Sequence, residues 1–214
     1  MGILLLTIVV FSYLLGSIPF GYLLMRVFRG VDVRTTGSGN IGATNVARTG
    51  SIGLAIATLL LDGCKGYFAV LLASHLVNID STDFVGFLFI GRLTTALCAM
   101  AAFFAIIGHM FPIWLRFKGG KGVATAAGAF LALAPRAFLF ALAAFVLVVA
   151  LTRYVSLGSI VAAVSFPIFF FLTAPPVRTN YAVIFFTAFS SLLIIIRHKD
   201  NIRRLLAGTE NRFR

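Results

Sequence analysis

Apolar residues run along this chain in long blocks separated by short polar stretches. A helix needs about 20 apolar residues to cross a hydrocarbon core about 30 Å thick. Ile3–Met25, Ile52–Val77, Phe84–Ile107, Leu157–Thr173 and Tyr181–Ile196 come close enough to that length to span. Val123–Thr152 is interrupted by Pro135-Arg136, so this block reads either as one kinked helix or as a short helix followed by a longer one.

Charge decides between six spans and seven. With seven spans and the N-terminus outside, the cytoplasmic segments are Arg26–Ser51, Gly108–Gly122, the turn at Arg153 and the tail from Arg197. They hold four, three, one and six of the 18 Lys+Arg, a strong positive-inside bias. Six spans would move the six tail cations outside. The expected fold is therefore an all-α polytopic membrane helix bundle with seven transmembrane helices, its N-terminus outside and its C-terminus cytoplasmic. It forms a single integral membrane domain over residues 1–214. The first block reads as a transmembrane helix and not as a cleavable signal peptide, because no charge precedes Arg26.

Composition agrees with that reading. The chain is 60% hydrophobic and only 11% charged, against about 25% charged residues in soluble domains. A net charge of +12 would ordinarily raise nucleic acid as a partner, but the cations lie in short loops between apolar runs and fit membrane orientation and anionic substrates instead. Cys64 and Cys98 both sit inside apolar runs, which supports neither a disulfide framework nor a zinc site. No metal or cofactor is implied.

Three cytoplasmic stretches are richer than loops need to be. The first, Ser38-Gly39-Asn40-Ile41-Gly42-Ala43-Thr44-Asn45-Val46-Ala47-Arg48, combines glycines, hydroxyls and carboxamides with an arginine fork suited to phosphate. The second runs from Gly108-His109-Met110-Phe111-Pro112 to Lys118-Gly119-Gly120-Lys121-Gly122-Val123-Ala124-Thr125. Glycines and lysines directly before a helix make an anion site from free N–H groups, the helix dipole and a point charge. It is not a Walker A loop, since Gly122 follows Lys121 where Ser or Thr belongs. The third is Arg197-His198-Lys199-Asp200-Asn201-Ile202-Arg203-Arg204-Leu205-Leu206 with Gly208-Thr209-Glu210. His198 and Asn201 share a helix face there, while Arg203 and Arg204 read as contacts to anionic lipid. Asp62 and Lys65, deep in the second span, are spaced for an i,i+3 pair.

These blocks together resemble the bacterial membrane glycerol-3-phosphate acyltransferases that use acyl phosphate as donor, the PlsY family. The resemblance covers nearly the whole chain and includes Gly16-Ser17-Ile18-Pro19-Phe20-Gly21 and Leu61-Asp62-Gly63-Cys64-Lys65-Gly66. Ala47 is a minor departure, standing where a bulkier apolar residue is commoner. The resemblance implies acyl transfer to the 1-hydroxyl of glycerol 3-phosphate, giving 1-acylglycerol 3-phosphate and phosphate. It places Ser38, Arg48, Lys121, His198 and Asn201 at the reacting centre. Gly39, Asn40, Gly42, Thr44, Asn45, His109, Gly119, Gly120 and Gly122 are expected around the substrates, with Asp62, Lys65 and Glu210 as structural support. The implied setting is the bacterial inner membrane, with the site facing the cytoplasm and a soluble enzyme supplying acyl phosphate.

The residues read directly agree with this chemistry. Only six Asp+Glu occur in the whole chain, so a Ser-His-Asp triad is poorly supplied. The hydroxyl proton can go to His198 or to a substrate phosphate oxygen. His75-Leu76-Val77-Asn78-Ile79-Asp80 matches the His-x-x-x-x-Asp pattern of unrelated acyltransferases, but its place at the outer end of the second span makes His75 an interfacial residue. A transporter of a phosphorylated metabolite would use similar anion-binding groups, yet the outer segments hold few cations. A non-catalytic scaffold leaves the three blocks unexplained.

Overall fold

The computed structural model describes residues 2–77, 84–175 and 180–212, and every regular element among them is a helix. The first apolar block is not one helix. It divides into α1 (Gly2–Ser17) and α2 (Phe20–Arg29), because Pro19 has no N–H and disfavours helical backbone at Ile18. A short loop containing a 3-10 turn at Val33–Thr35 leads to α3 (Ala43–Arg48) and then α4 (Ile52–Leu76). The chain continues through α5 (Phe84–Met110), a second 3-10 turn at Ile113–Leu115, and α6 (Val123–Leu133). The remaining helices are α7 (Pro135–Thr152), α8 (Val155–Thr173), α9 (Tyr181–Arg197) and α10 (Lys199–Leu206). The interruption expected at Pro135 is real: α6 stops at Leu133 and Pro135 opens α7.

Among the described residues, five stretches are long and apolar enough to cross a membrane, namely Gly2–Arg29, Ile52–Leu76, Ile90–Leu115, Pro135–Thr152 and Val155–Thr173. Helices α9 and α10 pass the same test only together, across a 56° bend at His198, and make a sixth if the pair counts as one span. The 11 residues of α6 rise only about 16 Å, too little to cross the core alone. A count of seven therefore depends on α6.

Helix α5 lies at the centre and packs against α1, α4, α6 and α9. Its Ala99, Ala101, Ala102 and Ala105 are buried, and small residues let neighbouring backbones approach closely. A Cβ on Gly16 would stand 2.2 Å from the Ala105 carbonyl oxygen, and one on Gly66 would stand 2.0 Å from the Thr125 carbonyl oxygen. These glycines draw α1 onto α5 and α4 onto α6. Large apolar side chains on the outer helices, such as Leu151 and Phe171, point outward. That arrangement suits a lipid surround. The close packing gathers the loop before α3, the α5–α6 loop and the start of α10 at one end of the bundle.

Candidate active site

Asn45 organises the first polar block. It is buried, its Oδ1 accepts the Ser38 N–H at 2.8 Å, and its Nδ2 donates to the carbonyls of Val33, Thr36 and Asn40 at 2.9, 3.0 and 2.8 Å. Sequence reading placed Asn45 around the substrates; the structure commits its carboxamide to shaping the loop. Asn40 Oδ1 accepts the Gly42 N–H at 2.9 Å. Held this way, the loop leaves Ser38, Gly39, Thr44 and Arg48 exposed.

The glycine loop differs from the expected phosphate cradle. The Gly119 N–H donates to the Met110 carbonyl at 3.1 Å and the Gly120 N–H to the His109 carbonyl at 3.0 Å. Their own carbonyls accept from Arg197, Gly119 from Nη2 at 2.8 Å and Gly120 from Nε at 3.1 Å. Neither glycine has an N–H left for a ligand. Their need for glycine is steric, since a Cβ on Gly120 would lie 2.0 Å from His109 Nε2. Gly122 is required for its backbone, with φ at 83°, where other residues are strained.

Lys121 Nζ meets Asn201 Oδ1, which joins the second block to the third. Asn201 Nδ2 donates to Glu210 Oε1 at 2.7 Å, and Ser156 Oγ donates to the same oxygen at 2.8 Å. Arg204 Nε donates to Glu210 Oε2 at 2.7 Å. Arg204, expected at anionic lipid, is ion-paired with Glu210, while Arg203 is exposed beside Asp200. Burial raises the Glu210 carboxyl, but the hydrogen bonds from Asn201, Ser156 and Arg204 outweigh it and hold the group below its ordinary range. Glu210 is therefore an anchor for the tail and not an acid.

His198 occupies the bend between α9 and α10 and is buried. Its Nδ1 lies 2.7 Å from the Ile194 carbonyl. A carbonyl oxygen only accepts, so Nδ1 carries the hydrogen and Nε2 keeps its lone pair. Burial, with the charge of Lys121 added, pushes the imidazole down to about 4. Burial also lowers Lys121 to about 8, helped by Arg204 and Arg48 and opposed by Glu210. Arg48, from the first block, is thus near enough to act electrostatically on Lys121. The site combines a neutral imidazole, several cations and one carboxylate already engaged. Such a set binds phosphate and steadies charge on oxygen.

Beneath the loop lies a buried cluster. Lys65 Nζ is 2.8 Å from Asp62 Oδ1, 3.0 Å from His109 Nδ1 and 2.9 Å from the Ile18 carbonyl. That carbonyl lies at the Pro19 break between α1 and α2, so the cluster ties three helical segments together. His109, expected as a substrate contact, belongs to this support. Cys98 is buried and Cys64 lies exposed on α4. His75 is exposed in the last turn of α4, about 35 Å along the helix from Ser51. Asp80, its motif partner, lies outside the described residues.

Residues 6–208 match the model of the glycerol-3-phosphate acyltransferase family. The chain belongs to that family. It is 46% identical to a glycerol-3-phosphate acyltransferase of Syntrophotalea carbinolica over 95% of this chain and 94% of the relative. Identity to the Geobacter sulfurreducens protein of that name is 47%, over 95% and 94% of the two chains. A crystal structure of PlsY, an integral membrane glycerol 3-phosphate acyltransferase in its glycerol 3-phosphate form, superposes with a TM-score of 0.83. It is 38% identical and the match covers 98% of this chain and 96% of that one. Its lysophosphatidic acid form gives a TM-score of 0.81. The chain is accordingly a multi-pass integral membrane protein of the PlsY type.

Sequence reasoning missed Arg197, Ser156 and the Glu210 partnership of Arg204. Arg197 and Arg204 carried a positive-charge signal only, and hydrogen bonds to backbone carbonyls leave no mark in a motif.

Proposed function

We propose that this protein transfers a fatty acyl group from acyl phosphate to the 1-hydroxyl of glycerol 3-phosphate. The products are 1-acylglycerol 3-phosphate and inorganic phosphate, the first acylation of phospholipid synthesis. The observation that carries this reading is the contact between Lys121 and Asn201 beside neutral His198, in a site crowded with cations. Both substrates are phosphate esters or anhydrides, and such a site holds phosphate without needing a carboxylate. The glycerol-3-phosphate and lysophosphatidic acid forms of the PlsY structures support the acceptor and the product.

In this reading Arg48, Lys121 and the N–H groups opening α6 hold phosphate, and Ser38 with Asn201 orients the reacting groups. Gly39, Asn40, Gly42 and Thr44 border the substrates. The hydroxyl oxygen attacks the acyl carbonyl, the carbon–oxygen bond to phosphate breaks, and the hydroxyl proton ends on the released hydrogen phosphate. His198 Nε2 accepts a hydrogen bond from the hydroxyl and orients it. At about 4 the unliganded imidazole is a weak base, and a phosphate dianion raises it toward the working range. Acyl phosphate is already activated, so positioning and neutralisation of the leaving group supply most of the acceleration.

The proposal includes seven spans with α6 as the short one, the N-terminus outside, and the site on the cytoplasmic face of a bacterial inner membrane. A soluble enzyme delivers the acyl phosphate there. The test is donor choice: purified protein offered acyl phosphate, acyl-CoA or another acyl thioester with glycerol 3-phosphate. Acylation with acyl phosphate alone is expected, and equal use of thioesters would remove the donor assignment.

A further inference from the structure

We propose that Arg197 is the positioning residue that sets Lys121 in register with His198. It rests on the acyl-transfer reading above. Arg197 ends α9 and is joined directly to His198. Its fork takes two consecutive carbonyls of the glycine loop, Gly119 at 2.8 Å and Gly120 at 3.1 Å. The guanidinium carbon lies over the Phe111 ring, 5.3 Å from its centroid, which adds a cation–π contact to the fork.

The N–H groups of the same two glycines are held by Met110 and His109 at 3.1 and 3.0 Å. All four backbone polar groups of Gly119-Gly120 are therefore engaged inside the protein. Neither N–H is free to hold a phosphate. The pair fixes the point from which Lys121 starts, and Lys121 then reaches Asn201 in the first turn of α10, the helix that His198 opens. One guanidinium thus bridges the segment carrying the phosphate-binding cation and the segment carrying the imidazole. Among the described residues no carboxylate pairs with Arg197, so the fork geometry and not a salt bridge defines its role. Lysine would keep the charge but could not span two carbonyls.

A double-mutant cycle on the purified protein tests this, using R197K, K121A and the double variant, with kcat and KM measured for both substrates. R197K is expected to lower kcat/KM about ten- to hundredfold, as a misplacement near 1 Å does, and to raise KM for the same substrate as K121A does. Added to K121A, R197K should change kcat/KM by less than about twofold, because its effect passes through Lys121. F111L, which leaves the fork in place but removes the ring beside it, should give a smaller loss with the same non-additivity. It carries the test if R197K does not fold. Wild-type kinetics in R197K, or its full loss again on the K121A background, would overturn the assignment. An inactive wild-type protein, or a K121A protein with unchanged kinetics, would strike the acyl-transfer reading itself.

Discussion

Gly120→Ala adds one methyl group directly against His109. The new Cβ would stand 2.0 Å from Nε2, 2.8 Å from Cδ2 and 2.9 Å from Cε1. Ordinary contact begins at 3.4 Å, so relief requires a displacement of about 1.4 Å, the difference between 3.4 and 2.0. The imidazole cannot move that far, since it is buried with Nδ1 3.0 Å from Lys65 Nζ and 3.5 Å from Asp62 Oδ1. The loop must lift, and Lys121 moves with it. Overpacking of this kind costs about 1–3 kcal/mol, and a shift near 1 Å at a reacting site lowers rate about a hundredfold. The assay is kcat/KM together with the melting temperature of the detergent-solubilised protein, for G120A, H109A and the double variant. G120A should lose about a hundredfold in kcat/KM and melt earlier. The double variant should recover part of both, because the ring that blocks the methyl is gone. A G120A protein with normal kinetics and melting, or a double variant as impaired as the two single losses multiplied, would refute the steric argument and restore the glycine to direct phosphate contact.

The pH profile of kcat/KM should be a bell. With Lys121 lowered to about 8, its charged form is lost as pH rises through 8, and the alkaline limb should fall there and not near 10.5. With His198 lowered to about 4, neutral imidazole is lost only as pH falls through 4, which sets the acid limb. E210Q replaces an acceptor of three hydrogen bonds with a group that is half donor; a stability loss of about 1–3 kcal/mol is expected in thermal melts, with a smaller activity loss than K121A. K65M leaves Asp62 buried without its cation and the Ile18 carbonyl unpartnered, at about 3–5 kcal/mol, and D62N/K65M should melt higher than K65M alone. Single cysteines at Thr35, Arg116 and Asn211, with Cys64 and Cys98 removed, should label only from the cytoplasmic side and one at Asn180 only from outside; opposite labelling of Thr35 and Asn211 would refute the topology.

The apolar blocks were legible because bilayer thickness imposes a length that composition shows directly. The Pro135 interruption was legible too, since proline acts on its own backbone. Pro19 acts equally locally, yet α1 and α2 read as one helix because hydropathy continues across the break. In the site, the pairing of Asp62 with Lys65 followed from i,i+3 spacing within α4. The third member, His109, is 44 residues from Lys65 and arrives through close backbone contacts between helices. Chain adjacency to the glycine loop made it look like a ligand residue. The glycines misled for a related reason, as a residue that lets phosphate approach looks the same as one that lets an imidazole approach. The meeting of the glycine loop with the α10 segment, through Lys121 and Asn201, was readable, because both blocks place polar groups directly beside an apolar span.

The most direct test of the central claim is acyl transfer by purified, membrane-reconstituted protein given acyl phosphate and glycerol 3-phosphate. Lysophosphatidic acid is measured by mass spectrometry and phosphate release alongside it, for wild type, H198A, K121A and H75A. The account predicts equal amounts of both products from wild type, near-normal rates from H75A, and loss of most activity from H198A and K121A at unchanged expression. Normal turnover in H198A and K121A, or loss confined to H75A, would contradict it.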